Sequence, residues 1–232
     1  MLLEYFATPN LEPTYAILPF LLIGLGALVF GGAVGAVIAI ADSDGTDSTN
    51  VIGKSMAILG MQEAGKTQLL HTLQNKSYTT YQATATDDYN SFRITINGRV
   101  VEFTAGRDIG GDERYIRPYY EKFINEKDAI FFIFDVRRYL DEDVYAKDVK
   151  NRLSFIYRKL KDKFPFGVNN RYLIIGSHMD VLQPDRQKTA IKELQDSVHG
   201  KDYGELFHNN LLLCDLTDRD NLLKNFVERK II

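Results

Sequence analysis

The stretch GMQEAGKTQ, Gly60 to Gln68, decides how the rest of the chain is read. Gly60, Gly65, Lys66 and Thr67 satisfy the pattern G-x-x-x-x-G-K-[ST]. Glycines at those places permit a wrap that aims backbone N–H groups at phosphate oxygens, while the lysine neutralises the β and γ phosphates and the hydroxyl after it suits Mg2+. A strand-length apolar run, SMAIL from Ser55 to Leu59, leads into the loop. QLLHTLQN (68–75) follows it, with Leu69, Leu70 and Leu73 on one helical face. A helix starting near Lys66 adds its positive N-terminal end to the anion site. The expected phosphate ligands are therefore Gly60, Gln62, Glu63, Ala64, Gly65, Lys66, Thr67 and Gln68.

Beyond this loop, apolar runs of strand length alternate with helical patterns. SFRITING (91–98) has period two and ends in Asn97-Gly98, a hairpin signal, so VVEFTAG (100–106) should return as its antiparallel neighbour. DAIFFIFDV (128–136) and RYLIIGS (171–177) read as strands buried on both faces. A helix over about 141–163 carries Val144, Val149, Leu153, Ile156 and Leu160, and a second over about 185–198 carries Ile191, Leu194 and Val198 before Gly200. NLLLCDL (210–216) is the last expected strand, with a short helix from about Asp220. This order predicts an α/β fold of the P-loop type: a doubly wound, mostly parallel sheet with one antiparallel strand. Ligands of such sheets sit at the carboxyl ends of the strands.

The loops at those ends carry further chemistry. Asp108 follows the strand VVEFTAG and suits a water-mediated Mg2+ contact; Gly110 or Gly111 offers an unobstructed N–H to a γ-phosphate. Thr86, with Thr84 as alternative, is placed to close over the metal from the other side. Segments near 80–90 and 108–118 are then the ones a terminal phosphate would order. GSHMD, Gly176 to Asp180, follows another strand. A carboxylate at Asp180 can accept from the N1–H and N2 amine of guanine, an arrangement of donors that adenine lacks.

The first 41 residues are a different material. Tyr15 to Ala41 holds no charged residue and, as a helix, spans roughly 40 Å, enough to cross a hydrocarbon core of about 30 Å with tilt. A cleaved signal peptide fits less well: Glu4 and Glu12 precede the run, no Lys or Arg does, and the run is too long. The expected organisation is a tail (1–14), a transmembrane helix (15–41), a linker (42–54) and a nucleotide-binding domain (55–232). Flanking charge orients the span weakly, but nucleotide is supplied in the cytosol, so the domain is expected to face the cytoplasm as part of a single-pass membrane protein. Ala27, Gly31, Gly35 and Ala39 recur every four residues, a stripe that lets two membrane helices approach. A net charge of −3 without a basic block gives no nucleic-acid footprint, and a single cysteine, Cys214, leaves no internal disulfide.

Together GMQEAGKTQLL, DIGG with IRPYYEKFINEKDAIFFIFDV, and GSHMD resemble the corresponding segments of Ras-superfamily small GTPases, most closely the Arf-like branch, over about residues 55–225. A membrane span followed by such a domain is similar in architecture to the beta subunit of the signal recognition particle receptor. The resemblance implies GTP and GDP as ligands with Mg2+ held by Thr67, Thr86 and Asp108, and it assigns catalysis to Lys66, Gly111 and Asp112. It implies that Cys214-Asp215-Leu216 meets the guanine carbonyl through a backbone N–H, so Asp215 and Leu216 join the nucleotide site. Two departures stand out. Ser177 and His178 replace the family's Asn and Lys, removing the amide that ties the base loop to the phosphate loop, with the His178 imidazole left to stack on guanine. Asp112 replaces the glutamine that orients the attacking water. A carboxylate only accepts and adds like charge beside an anionic transition state, so hydrolysis is expected to be slow. Three functions follow: a membrane-tethered switch that recruits an effector, a GTP-loaded docking subunit with negligible hydrolysis, and, last, an ATP-type binding module.

Overall fold

The structure, a computed structural model, describes residues 51–77, 86–111, 119–163 and 171–229. The expected tail and span, with Ala27, Gly31, Gly35 and Ala39, and also residues 42–50, Thr84 and Asp112, lie outside the described residues, and Thr86 is described by its backbone alone. Among the described residues no helix is long and apolar enough to cross a membrane.

A parallel sheet of four strands forms the centre: β2 (Met56–Gly60), β7 (Ala129–Asp135), β8 (Tyr172–Ser177) and β9 (Leu211–Leu213), in the order β2-β7-β8-β9. Every residue of β2, β7 and β8 is buried. That matches their near-continuous apolar sequence, because strands covered on both faces have no side that must stay polar.

A second sheet has three strands. β1 (Val51–Lys54) pairs in parallel with β5 (Arg99–Phe103), and β5 pairs antiparallel with β4 (Phe92–Ile96), giving the order β1-β5-β4. Asn97 (φ 51) and Gly98 (φ 74) make the β4–β5 turn, and the left-handed pair matches the right-handed twist of its strands. Between β1 and β2 the chain changes partner at Ser55. Its N–H and hydroxyl both donate to the Asp128 carboxylate at 2.8 Å, and its Oγ accepts from the Asp128 N–H at 3.1 Å.

β1 lies inside the stretch read as linker (42–54), so the folded unit includes Val51 and does not start at Ser55. The antiparallel member expected as one strand is two: β4 against β5, and β3 (Thr86–Tyr89) against β6 (Gly106–Ile109). The expected strand 210–216 shrinks to three residues because Asn210 closes helix α6 (Gly204–Asn210).

The helices read from the sequence are present: α1 (Lys66–Leu73), α4 (Asp143–Lys163), α5 (Pro184–Ser197) and α7 (Arg219–Glu228). Three short helices were not foreseen: α6, α2 (Glu121–Glu126) and α3 (Val136–Asp141), the last capped by the Asp135 carboxylate accepting from the Arg138 N–H. Val149, Leu153, Ile156 and Leu160 of α4 are buried, but Val144 is 76% exposed. It precedes Val149 by five residues, about 140° around the helix, and so leaves the apolar face. On α5, Ala190 takes the core position and Ile191 is 49% exposed.

Phe131 of β7 is fully buried and stacks on Phe226 of α7, ring centroids 5.0 Å apart. Truncating it leaves a cavity under α7, so Phe131→Ala lowers unfolding stability by about 3–5 kcal/mol, while Val144→Ala changes it by less than about 0.5 kcal/mol. Urea denaturation of the two variants checks this contrast.

Candidate functional site

β2 delivers the chain to Gly60, whose φ of 148 and tight surroundings admit only glycine: a Cβ there would lie 2.2 Å from the Ile133 carbonyl oxygen. The Met61 N–H donates to that same carbonyl at 2.9 Å. The loop then reverses hand at Glu63 (φ 60) and Gly65 (φ 92), and α1 begins with no side-chain cap and no acidic residue in its first turn. Successive N–H groups in such a turn form a concavity for an anion, and an uncapped helix start leaves its N–H groups for a ligand.

Lys66 is 8% exposed, and its Nζ donates to the Met61 carbonyl at 2.7 Å. Burial pushes its pKa down from 10.5 to about 8, with Asp108 working against the shift and Arg152 adding to it. The Thr67 hydroxyl donates to the buried Asp108 carboxylate at 2.7 Å. A hydroxyl and a carboxylate side by side at a helix start are the hard oxygen donors that suit Mg2+, so the residues fit that ion. Gly111 closes the same corner. A Cβ on it would stand 2.1 Å from the Gln62 nitrogen, so only glycine lets this loop lie on the phosphate loop.

The base loop is joined to the phosphate loop after all. The Ser177 hydroxyl, fully buried, reaches the Ala64 carbonyl at 2.8 Å and the Phe134 carbonyl at 3.0 Å. Ser177 Oγ also lies within hydrogen-bond distance of His178 Nδ1, 2.9 Å away. The family's amide is absent, as the sequence implies, and the Ser177 hydroxyl supplies a bond between the two loops. His178 holds a left-handed backbone (φ 60), and Asp180 is exposed beyond it at the carboxyl end of β8.

After β9 the two expected residues divide. Leu216 is buried, its Cδ1 2.6 Å from where a Cβ on Gly65 would be, and its carbonyl accepts from the Thr72 hydroxyl of α1 at 2.7 Å. The Asp215 carboxylate instead accepts from the Thr217 N–H and hydroxyl, both at 2.7 Å, and so orders its own loop. Gln62 and Glu63 are exposed, and Gln68 turns along the helix to donate to Thr72 Oγ1 at 3.0 Å. Cys214 is buried, and its thiol is pushed up to about 12 by burial, as suits a small core residue.

Two residues at the site were missed by sequence reasoning. Arg152 Nη1 donates to the Gly60 carbonyl at 2.9 Å and to the Tyr120 hydroxyl at 3.3 Å, and that hydroxyl accepts from the Gly60 N–H at 3.1 Å. A signal was present for Arg152: it sits between Val149, Leu153 and Ile156, a charge on the core face of α4.

Residues 48–161, just under half of the chain, match the model of the ADP-ribosylation factor family. ADP-ribosylation factor-like protein 3 of Chlamydomonas reinhardtii is 32% identical over 78 residues, which is 34% of this chain and 41% of that protein. The match therefore spans less than half of that relative's length. Over that stretch the chain is similar to proteins of the ADP-ribosylation factor family. The matched residues include Gly60 to Gln68, Asp108 and Gly111, and end before Ser177 and Asp180.

The depressed Lys66 pKa sets a stability profile for the nucleotide-free protein. Below pH 8 the lysine is charged folded and unfolded; between about 8 and 10.5 the unfolded chain keeps a proton that the folded one has released. The Lys66 contribution to stability therefore rises with pH across that window, by at most roughly 3 kcal/mol, while the raised Cys214 thiol and buried tyrosines act in the opposite sense above about pH 9. The urea midpoint of the nucleotide-free wild type minus that of Lys66→Met isolates the lysine and should increase from the lower to the upper end of the window.

Proposed function

We propose that the chain is a membrane-anchored small GTP-binding protein of the Arf-like type, which binds GTP and GDP with Mg2+, hydrolyses GTP slowly and recruits a protein partner at the membrane. The observation that carries this reading is the joining of separate loops around the uncapped start of α1, through Thr67 to Asp108 at 2.7 Å and Ser177 to Ala64 at 2.8 Å. One loop supplies backbone N–H groups, another the metal-side oxygens, and a third an exposed carboxylate at Asp180 for a purine.

In this reading Lys66 exchanges the Met61 carbonyl for β and γ phosphate oxygens, a stronger, charge-assisted partner. Thr67 turns its oxygen to the metal, and Asp108 takes the hydroxyl proton and holds the group in place. Mg2+, when bound, neutralises charge on the β and γ phosphates. Gly111 presents its N–H where a side chain would block approach. Asp180 accepts from the guanine N1–H and N2 amine, with His178 beside it. The uncharged run 15–41 serves as the anchor, with the domain on the cytoplasmic side.

A second reading, a permanently GTP-loaded docking subunit like the receptor beta subunit named above, is favoured by Asp112. At that position a carboxylate adds negative charge beside a transition state that is already anionic. An ATP-binding module is disfavoured by Asp180, which finds no matching pair of donors on adenine.

GTP and GDP should bind the full chain in Mg2+, ATP at least tenfold more weakly, and Asp180→Ala should erase that preference. Lys66→Ala should lose nucleotide altogether. Single-turnover hydrolysis should run at or below about 10⁻² s⁻¹. Tighter binding of ATP than of GTP refutes the guanine reading, and rapid unassisted phosphate release refutes slow hydrolysis.

A further inference from the structure

Gly60, where the phosphate loop leaves β2, is gripped from both sides. The Tyr120 hydroxyl accepts from its N–H at 3.1 Å and lies 3.3 Å from its carbonyl, and Arg152 donates to that carbonyl at 2.9 Å. Tyr120 is 2% and Arg152 8% exposed, so water competes little for these bonds. A buried guanidinium is expensive unless its donors are used, and among the described residues no carboxylate pairs with this one. Its partners are a hydroxyl and the peptide from which the phosphate loop springs.

The chain brings the same loop a second contact. Gly111 lies against Met61 and Gln62, close enough that a Cβ would meet their backbone at 2.1 to 2.4 Å. Downstream, Tyr120 touches Gly60. Tyr120 and Gly111 thus both contact the phosphate loop, and Arg152, from a different helix, donates to the Tyr120 hydroxyl. Lys66 and Arg152 place two buried cations on this side of the loop, an arrangement that an incoming polyphosphate relieves.

We propose that Arg152, acting with Tyr120, is a positioning residue for nucleotide retention: it holds the Gly60 peptide in the orientation the phosphate loop needs, so that loosening the Arg152–Tyr120–Gly60 cluster speeds nucleotide release. The inference rests on the GTP-binding reading above. The cluster touches neither phosphate nor metal; it acts through the backbone. A partner that displaces Tyr120 therefore loosens nucleotide without entering the site.

The test is release of mant-GDP from the full chain in Mg2+, chased with excess GDP. Arg152→Met should speed release at least tenfold and Tyr120→Phe several-fold, and the double variant should be no faster than Arg152→Met, because both substitutions break one cluster. Arg152→Lys, which restores one donor, should fall between wild type and Arg152→Met. Leu160→Ala is the control: it opens a cavity on the same helix, away from Gly60, and should lower Tm while leaving the release rate alone. Release at the wild-type rate from both Arg152→Met and Tyr120→Phe overturns the inference, as does equal acceleration by Leu160→Ala. Should Arg152→Met fail to fold, Tyr120→Phe decides alone, since it deletes one hydroxyl and little packing. A wild type that binds no mant-GDP overturns this inference together with the GTP-binding reading; a wild type that binds it, with variants that release it normally, overturns only this one.

Discussion

A loop that presents its N–H groups to an anion cannot also bond them to itself, so its shape has to be imposed from outside. That constraint organises the structure around residues 60–67. Ile133 of the neighbouring strand takes the Met61 N–H, Ser177 takes the Ala64 carbonyl, and Arg152 and Tyr120 take the Gly60 peptide. Leu216 fills the space behind Gly65, and Gly111 leans on Gln62. Each support comes from a different element, which is why the loop needs a whole sheet and its helices to hold it. Residues in a left-handed backbone at Glu63 and His178 fit the same view: strain of this kind persists where the surroundings over-determine it, and both sit at the site.

The supports differ in how far the sequence announced them. The phosphate loop was legible because its function fixes spacing: two glycines, a lysine and a hydroxyl only work at set intervals. The buried strands were legible because β7 and β8 are apolar throughout. The Ser177 bond was not legible because comparing residue types asks whether an amide is present, whereas the structure needs only a donor within reach of Ala64. Pairing of β1 with β5 was illegible, since VIGK is short, carries Gly53 and follows a polar stretch. Val144 was counted in the apolar pattern of α4 by a loose spacing rule, and its interval of five from Val149 puts it off the buried face.

Charge at the site follows a similar logic of incomplete satisfaction. Lys66 and Arg152 are both buried, and Lys66 is held nearer to deprotonation than an exposed lysine. Asp108 offsets part of this and is engaged with Thr67. Such a site is less stable empty than an apolar equivalent would be, and a polyanion turns the deficit into affinity. Arg152 illustrates the trade most clearly. A methionine there would pack beside Val149 and Ile156 without a desolvation penalty, and the guanidinium persists at a place where its bonds go to the hinge of the anion loop.

Retention and turnover draw on different parts of this chain, and the parts are unequal. Gripping a nucleotide calls on Lys66, Thr67, Asp108, the loop backbone and the supports behind it, all of which are in place and mutually bonded. Turnover calls on a group that orients water while tolerating the charge that develops on the γ-phosphate, and at that position the chain has Asp112. On the reading proposed above, a carboxylate at that position would oppose hydrolysis by the same electrostatics that let Lys66 favour binding, so the chain would keep a nucleotide more readily than consume one.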